Sequence, residues 1–257
     1  MSIYDSKQPQ DKENYVGIEL EFYAPIEQDK LATLLTKARL GKYLHLKDDG
    51  SIEIPDKYEA PVYGDIQCSS CKESWGAEEF NYCGRCGTEL NKKSFHYSHE
   101  LCVLVKQSQV ARVLPRVTKI LNDVKAKTNS SCGLHVHLDM RNRDPNLAFA
   151  NLVVAQPLLY NLVKADRKKN EFCQKVSPGQ TFSSMSNQYE RYHSINARAY
   201  SKFKTLEVRL HHGSVNDKEI LNWTKLLTTV AEHESVSSIK EFKIPRSISL
   251  SRLKKTA

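Results

Sequence analysis

The chain has 257 residues, a formal charge of +8, 40% hydrophobic residues, seven Cys and nine His. That length suits one domain with a small appendage and buries a core without disulfide help, and the apolar fraction excludes a wholly disordered chain. An odd cysteine count, with four Cys in two CxxC pairs, argues against a secreted disulfide framework, while the positive charge leaves room for an anionic partner: nucleic acid, nucleotide phosphate or a membrane surface. The first fourteen residues are polar and mixed in charge, without the apolar core of a signal peptide. The most apolar stretch, Leu147 to Val163, is interrupted by Asn151, Gln156, Pro157 and Asn161 and reads as a buried helix, not a membrane span. A reducing, cytoplasmic location is expected.

Tyr15 to Tyr23 alternates strictly, with Val16, Ile18, Leu20 and Phe22 on one face and Gly17, Glu19 and Glu21 on the other, which predicts a half-buried strand. A helix is expected over Asp29 to Leu40 with Gly41 as its C-cap, then a turn at Asp48 to Ser51 and a short strand at Ile52 to Ile54. Tyr97 to Val105 predicts a second long strand. The spacing of Val113, Leu114, Val117, Ile120, Leu121 and Val124 predicts a helix despite Pro115. Gly133 to Met140 alternates again, His135, His137 and Asp139 opposing Leu134, Val136 and Leu138. Asp144-Pro145 opens a helix running to about Lys164. Thr205 to His211 is a strand with Leu206, Val208 and Leu210 inward and Glu207, Arg209 and His211 on its polar face, and Asn216 caps a helix through about Glu234. From Ser238 the chain is basic and weakly patterned. Strands mixed with long helices predict one α+β domain over residues 1–257, with helices on one face of a sheet, and a basic C-terminal tail over 238–257.

Cys68-x2-Cys71 and Cys83-x2-Cys86, eleven residues apart, have the spacing of a four-thiolate zinc site, within a zinc-ribbon insertion over residues 65–93. Four Cys leave no open position, so the zinc is expected to be structural, supplying the fold of a segment too short to bury a core. A redox role would need a strand–CxxC–helix context that is missing. Lys72 and Arg85 are balanced by Glu73, Glu78 and Glu79, so stapling a loop or docking a substrate outranks nucleic-acid binding. Cys102, Cys132 and Cys173 read as ordinary reduced cysteines.

Three strands pair one apolar face with one ionisable face: Glu19 with Glu21, His135 with His137, and Glu207 with Arg209, each pair about 7 Å apart along its strand. One such strand is the wet face of any antiparallel sheet. Three of them in one sheet point to a site, because clustered carboxylates need a counter-ion and hard oxygens suit Mg²⁺ or Mn²⁺. His-x-His by itself also fits zinc or iron. An Arg among the carboxylates suits a transferring phosphoryl group.

Gly17-Ile18-Glu19-Leu20-Glu21-Phe22, Asp49-Gly50-Ser51-Ile52-Glu53, Ser98-His99-Glu100-Leu101, Cys132 to His137, Arg191 to Asn196 and Leu206 to Arg209 with Gly213 occur in this order. In that ordered set the chain resembles the amidoligases, relatives of glutamine synthetase and glutamate–cysteine ligase. The resemblance implies a curved antiparallel sheet of the glutamine synthetase catalytic-domain type, holding ATP with about two or three divalent ions. It implies transfer of the γ-phosphate to a carboxylate and attack by an amine. By match, Glu19, Glu21, Glu100 and His135 would bind metal, Glu207 the ion bridging the β- and γ-phosphates, and His137 would contact phosphate. Arg209 would stabilise the transferring phosphoryl, so that Arg209, Glu207 and Glu21 carry the catalysis. Arg191 and Asn196 would touch nucleotide or substrate carboxylate, and Glu53 is either a further ligand or a solvated turn residue. Where the family has Gly-Tyr/Phe-Glu-hydrophobic-hydrophobic-Ser-Pro, this chain has Ser98-His99-Glu100-Leu101-Cys102-Val103, and the Ser-Pro is missing.

The implied partners are an amine and a carboxylate, drawn from amino acids, peptides or cell-wall fragments. Competing classes are a metal-dependent hydrolase or nuclease on the same side chains, and a non-catalytic zinc-ribbon adaptor. His211 either lines the site or caps its strand, and His45, His96, His99, His193, His212 and His233 read as surface or packing residues. Tyr189, Tyr192 and Tyr200 suit core packing better than adenine stacking. The charge excess lies in residues 164–170 and 240–257, where it serves solubility or the docking of an acidic partner.

Overall fold

The computed structural model describes residues 13–58, 65–76, 82–88 and 96–256. In chain order the elements are β1 (Tyr15–Ala24), α1 (Gln28–Lys37), β2 (Leu44–Lys47), β3 (Asp65–Gln67), β4 (Ser74–Gly76), β5 (Tyr97–Lys106), α2 (Val110–Asp123), β6 (Gly133–Asp139), α3 (Pro145–Tyr160), α4 (Phe182–Ser186), β7 (Ile195–Asn196), α5 (Ala199–Phe203), β8 (Thr205–His212), α6 (Asp217–Ala231) and α7 (Leu250–Thr256). Six strands form one antiparallel sheet in the order β2-β5-β1-β6-β8-β7, and β3 and β4 pair in a separate hairpin. The α+β architecture expected from the alternating patterns is therefore present.

The apolar face of β1 is buried, with Val16, Ile18 and Phe22 fully inaccessible, and it shares one continuous core with residues of α1, α2, α3 and α6, including Leu31, Leu114, Phe149 and Trp223. The polar face is left for the site. Asp144 caps α3 by accepting from the Asn146 N–H, and Asn216 caps α6 by accepting from the Lys218 and Glu219 N–H groups, as their positions predict.

Four local expectations are corrected. Ile52 to Ile54 forms no strand; the edge strand is β2, pairing with β5 through Leu44↔Val103 and Lys47↔Glu100. Helix α1 stops at Lys37 rather than Leu40, because Arg39 adopts φ 57° and the Leu40 N–H reaches back to the Leu35 carbonyl, closing the helix before Gly41. His211 lies off the polar face of β8, since the β6–β8 register shifts between Leu134 and Val136. The segment after Ser238 is more structured than its weak pattern suggests: Phe242, Ile248 and Leu253 join the core and α7 ends it.

Candidate active site

The register of the sheet assembles the site. Glu19 stands opposite Cys102 of β5 and His135 of β6; Glu21 opposes Glu100; His137 opposes Glu207; and Glu207 opposes Asn196 of β7. Side chains from five strands thus meet on one face, the floor of a cleft of about 1130 Å³. The floor is largely buried: Glu21, Glu100, His135, His137 and Glu207 each expose less than a tenth of their surface.

The contacts are dense. His135 Nδ1 lies 3.2 Å from Glu19 Oε2 and 3.6 Å from Glu207 Oε1, and its Nε2 lies 3.5 Å from Glu21 Oε1. His137 Nε2 is 3.2 Å from Glu19 Oε1, while its Nδ1 meets the Thr205 hydroxyl at 3.0 Å. Arg209 Nη1 donates to Glu207 Oε1 at 2.5 Å, and Asn196 Nδ2 donates to Glu207 Oε2 at 2.7 Å. Lys47 Nζ pairs with Glu100 Oε1 at 2.7 Å. Both oxygens of Glu207 are therefore held, and Arg209 is fixed beside the carboxylates, its guanidinium 6.0 Å above the Tyr192 ring.

The electrostatics follow from this crowding. Burial pushes the Glu19 carboxyl up, but His137 and His135 outweigh it and hold it well below its usual range. Burial also opposes the charge on Glu207, and Arg209, with His137, overcomes it in favour of the carboxylate. Glu100 goes the other way: burial and the neighbouring Glu19 charge raise it, Lys47 opposing. Burial disfavours the His137 imidazolium, yet Glu19 and Glu207 raise its pKa overall.

Three overlapping groups offer ligand atoms within 4.8 Å of one another: Glu19, His135 and Glu207; Glu21, Asp49 and Glu100; and Glu19, Glu100 and Cys102. A set dominated by carboxylate oxygens, with Glu19 shared between two groups, suits hard divalent cations such as Mg²⁺ or Mn²⁺. Of the residues singled out from sequence, Glu19, Glu21, Glu100, His135, His137, Asn196, Glu207 and Arg209 come together. Arg191 lies exposed on the cleft wall, stacked on Tyr192 with its Cζ 5.1 Å from the ring centroid. Glu53 is exposed at the rim, its backbone held by Ser131 and Asn129, outside the three ligand groups.

Several site residues escape the sequence reading. Asp49, read as a turn residue, joins Glu21 and Glu100. Cys102 is no bystander: its thiol lies 3.3 Å from Glu100 Oε1, and burial with the adjacent Glu19 and Glu100 charges pushes it far up, keeping it an S–H donor. Arg167, part of a run of basic residues, is buried and donates to the Arg209 carbonyl at 2.8 Å, bracing β8. His45, expected on the surface or in packing, is exposed on the cleft wall. Tyr192 lines the cleft, whereas Tyr200 packs edge-on against Phe182 and Tyr189 is exposed.

The insert holds a second ligand set. The sulfurs of Cys68, Cys71, Cys83 and Cys86 lie within 4.8 Å of one another, with Cys68 to Cys86 and Cys71 to Cys83 at 3.5 Å. The two CxxC turns repeat one geometry: the N–H of Lys72 bonds the Cys68 carbonyl at 3.0 Å and that of Gly87 the Cys83 carbonyl at 2.8 Å, with Lys72 at φ 63° and Gly87 at φ 70°. Zn–S bonds of about 2.3 Å place tetrahedral sulfurs about 3.8 Å apart, so this cluster is compatible with zinc. The residues flanking it within 65–93, at 77–81 and 89–93, lie outside the described residues.

No helix among the described residues is long and apolar enough to cross a membrane. The model of one protein family, described as "putative amidoligase enzyme", matches residues 12–181 and 178–231. A search of curated proteins returns no match.

Proposed function

The chain belongs to the amidoligase family, whose description implies ligase-type activity on amine and carboxylate substrates, and from that premise we propose that it is an ATP-dependent carboxylate–amine ligase. The observation that carries the reading is the convergence of Glu19, Glu21, Glu100, His135 and Glu207 beside Arg209 on the floor of one cleft. A carboxylate is a poor acyl donor because oxide is a poor leaving group. Its oxygen attacks the γ-phosphorus of ATP, the bond to the β–γ bridging oxygen breaks, and ADP departs. An amine then attacks the acyl carbon, the C–O bond to phosphate breaks, the nitrogen gives up a proton that leaves with the phosphate, and the amide forms.

The protein's share is positioning and charge neutralisation. Glu207 and Asn196 lock one another, and Glu207 holds Arg209 where a transferring phosphoryl group gains most from a fixed guanidinium. His137, with Nδ1 bonded to Thr205, presents Nε2 toward Glu19 and the phosphate side of the cleft. Mg²⁺ or Mn²⁺ would be held by Glu19, Glu21, Glu100, His135 and Glu207, with Asp49, and supplies neutralisation of the nucleotide charge. Zinc would be held by Cys68, Cys71, Cys83 and Cys86 and supplies a cross-link for the insert. Tyr192 and Arg191 wall the side where a nucleotide or a substrate carboxylate docks. The substrates are an amino acid, peptide or cell-wall fragment carrying the carboxylate, and an amine.

The test is ADP release with Mg²⁺, screened across amines and amino acids, with the product identified by mass. Glu207→Gln is expected to lower turnover by about 10²-fold or more with an unchanged circular dichroism spectrum. Wild-type turnover in that variant refutes the role of Glu207. ATP that binds equally well without a divalent ion, or shortened nucleic acid as the product, refutes the ligase reading.

A further inference from the structure

The end of β8 carries two adjacent histidines that the proposed reaction does not use. In a regular strand, neighbouring side chains point to opposite faces. Here His211 pairs with Leu134 and Val208 with Val136, so Arg209 and Leu210 together stand opposite His135. That bulge turns His211 from the cleft into the helix layer, where it is fully buried with its ring 4.7 Å from Trp223 of α6. His212 stacks on it at 4.1 Å and 24°. Both rings reach one carboxylate on α6: His212 Nε2 is 3.0 Å and His211 Nε2 is 3.9 Å from Glu219 Oε1, while the Ser214 hydroxyl donates to Glu219 Oε2 at 2.5 Å.

The tautomer of His211 is fixed by its neighbour. Nδ1 lies 2.8 Å from the His212 carbonyl oxygen, a contact only an N–H makes, so in the neutral ring Nε2 carries the lone pair. That atom is buried without a hydrogen-bond partner and faces a carboxylate oxygen. His212 Nδ1 and Trp223 Nε1 are likewise buried without hydrogen-bond partners. A cation would match the His211 Nε2 lone pair, which hydrogen bonding leaves unmatched beside the Glu219 carboxylate, whereas the Trp223 indole N–H, a donor only, is no ligand. An imidazole whose far N–H is pinned by a backbone carbonyl is also the usual setting of a metal-bound histidine.

We infer that His211, His212 and Glu219 form a buried zinc site, separate from both the cleft and the cysteine cluster, which ties β8 to α6. The three offer ligand atoms within 4.8 Å of one another, and none of them lines the cleft. Two imidazoles and one carboxylate are a zinc donor set; Mg²⁺ and Ca²⁺ favour all-oxygen sets. Buried beside Trp223 and away from the cleft, the ion would join β8 to α6 rather than meet a substrate in the cleft.

The experiment measures zinc per chain by mass spectrometry after zinc loading of the full-length protein and dialysis against excess Mg²⁺. The wild type is expected to retain about two zinc ions, and the Cys83→Ser/Cys86→Ser variant about one. X-ray absorption of the ion in that variant should show nitrogen and oxygen neighbours and no sulfur. Glu219→Gln or His211→Gln in the same background should remove it, and Glu207→Gln should not. A wild type holding one sulfur-bound zinc overturns the inference, as does a second zinc lost with Glu207→Gln but kept with His211→Gln. If the Glu219 and His211 variants do not fold, a cysteine variant that folds but holds no zinc still overturns it, and a nitrogen- and oxygen-bound zinc that survives Glu207→Gln supports it.

Discussion

The backbone N–H of Gly133 donates to Glu21 Oε2 across 2.5 Å, so the first residue of β6 orients a carboxylate of β1. No side chain fits there: a Cβ on Gly133 would lie 2.7 Å from His135 Nε2, 3.2 Å from Glu21 Oε2 and 3.3 Å from Arg167 Nη2. Gly133→Ala therefore displaces two proposed ligands at once. The expected outcome is a stability loss of about 1–3 kcal/mol and about 10- to 100-fold weaker Mg²⁺ activation, measured by thermal melting and by ADP release against Mg²⁺ concentration. Wild-type activation would mean that Glu21 and His135 do not hold the ion.

Asp49 and Glu53 occupy one motif but different surroundings. Asp49 groups with Glu21 and Glu100, while Glu53 is exposed outside the ligand groups. Asp49→Asn is expected to raise the Mg²⁺ concentration for half-maximal ADP release by about tenfold or more, and Glu53→Gln to leave it near wild type. The reverse ranking would place the ligand at Glu53.

What the sequence reveals and conceals divides along physical lines. The strands that carry the site, β1, β6 and β8, announce themselves because apolar and ionisable residues alternate along them, one face packing in the core and the other lining the cleft floor, although that floor is itself buried. Strand β2 is four residues long and only half-buried at Leu44 and Leu46, too little pattern to register. Asp49 and Arg167 are invisible for another reason: their partners, Glu21 and the Arg209 carbonyl, are distant in the chain, and nothing local distinguishes Asp49 from a turn former or Arg167 from a solvated charge. The bulge that buries His211 depends on a register between two strands, which alternation within one strand cannot show.

The cysteine cluster packs with Trp75 as a small unit apart from the main core. A Cβ on Gly84 would meet the Trp75 ring at 2.5 Å, so the indole rests directly on the second CxxC turn. Cys83→Ser is expected to remove the zinc of this cluster and red-shift the Trp75 emission, while the main thermal transition persists. A Trp75→Phe control should abolish the spectral change. If activity is lost while the main transition persists, the insert docks substrate; if activity is retained, it only staples the loop.

Asp139 sits at the end of β6, where Arg141 Nε and Nη2 donate to its two oxygens at 2.8 and 2.6 Å and the Tyr15 N–H donates at 3.1 Å. Burial pushes this carboxyl up, but the Arg141 side chain and the Arg141 and Tyr15 amides outweigh it and hold it below its usual range. A carboxyl depressed in the folded state stabilises the fold fully above its unfolded pKa of about 3.9, and that contribution is lost as pH falls through the folded value. Asp139→Asn is therefore expected to cost about 1.5–3 kcal/mol at neutral pH, in urea unfolding, and the gap from wild type should narrow as the pH falls below about 4. A gap that stays constant down to acid pH would mean the Asp139 charge contributes nothing and only its shape matters.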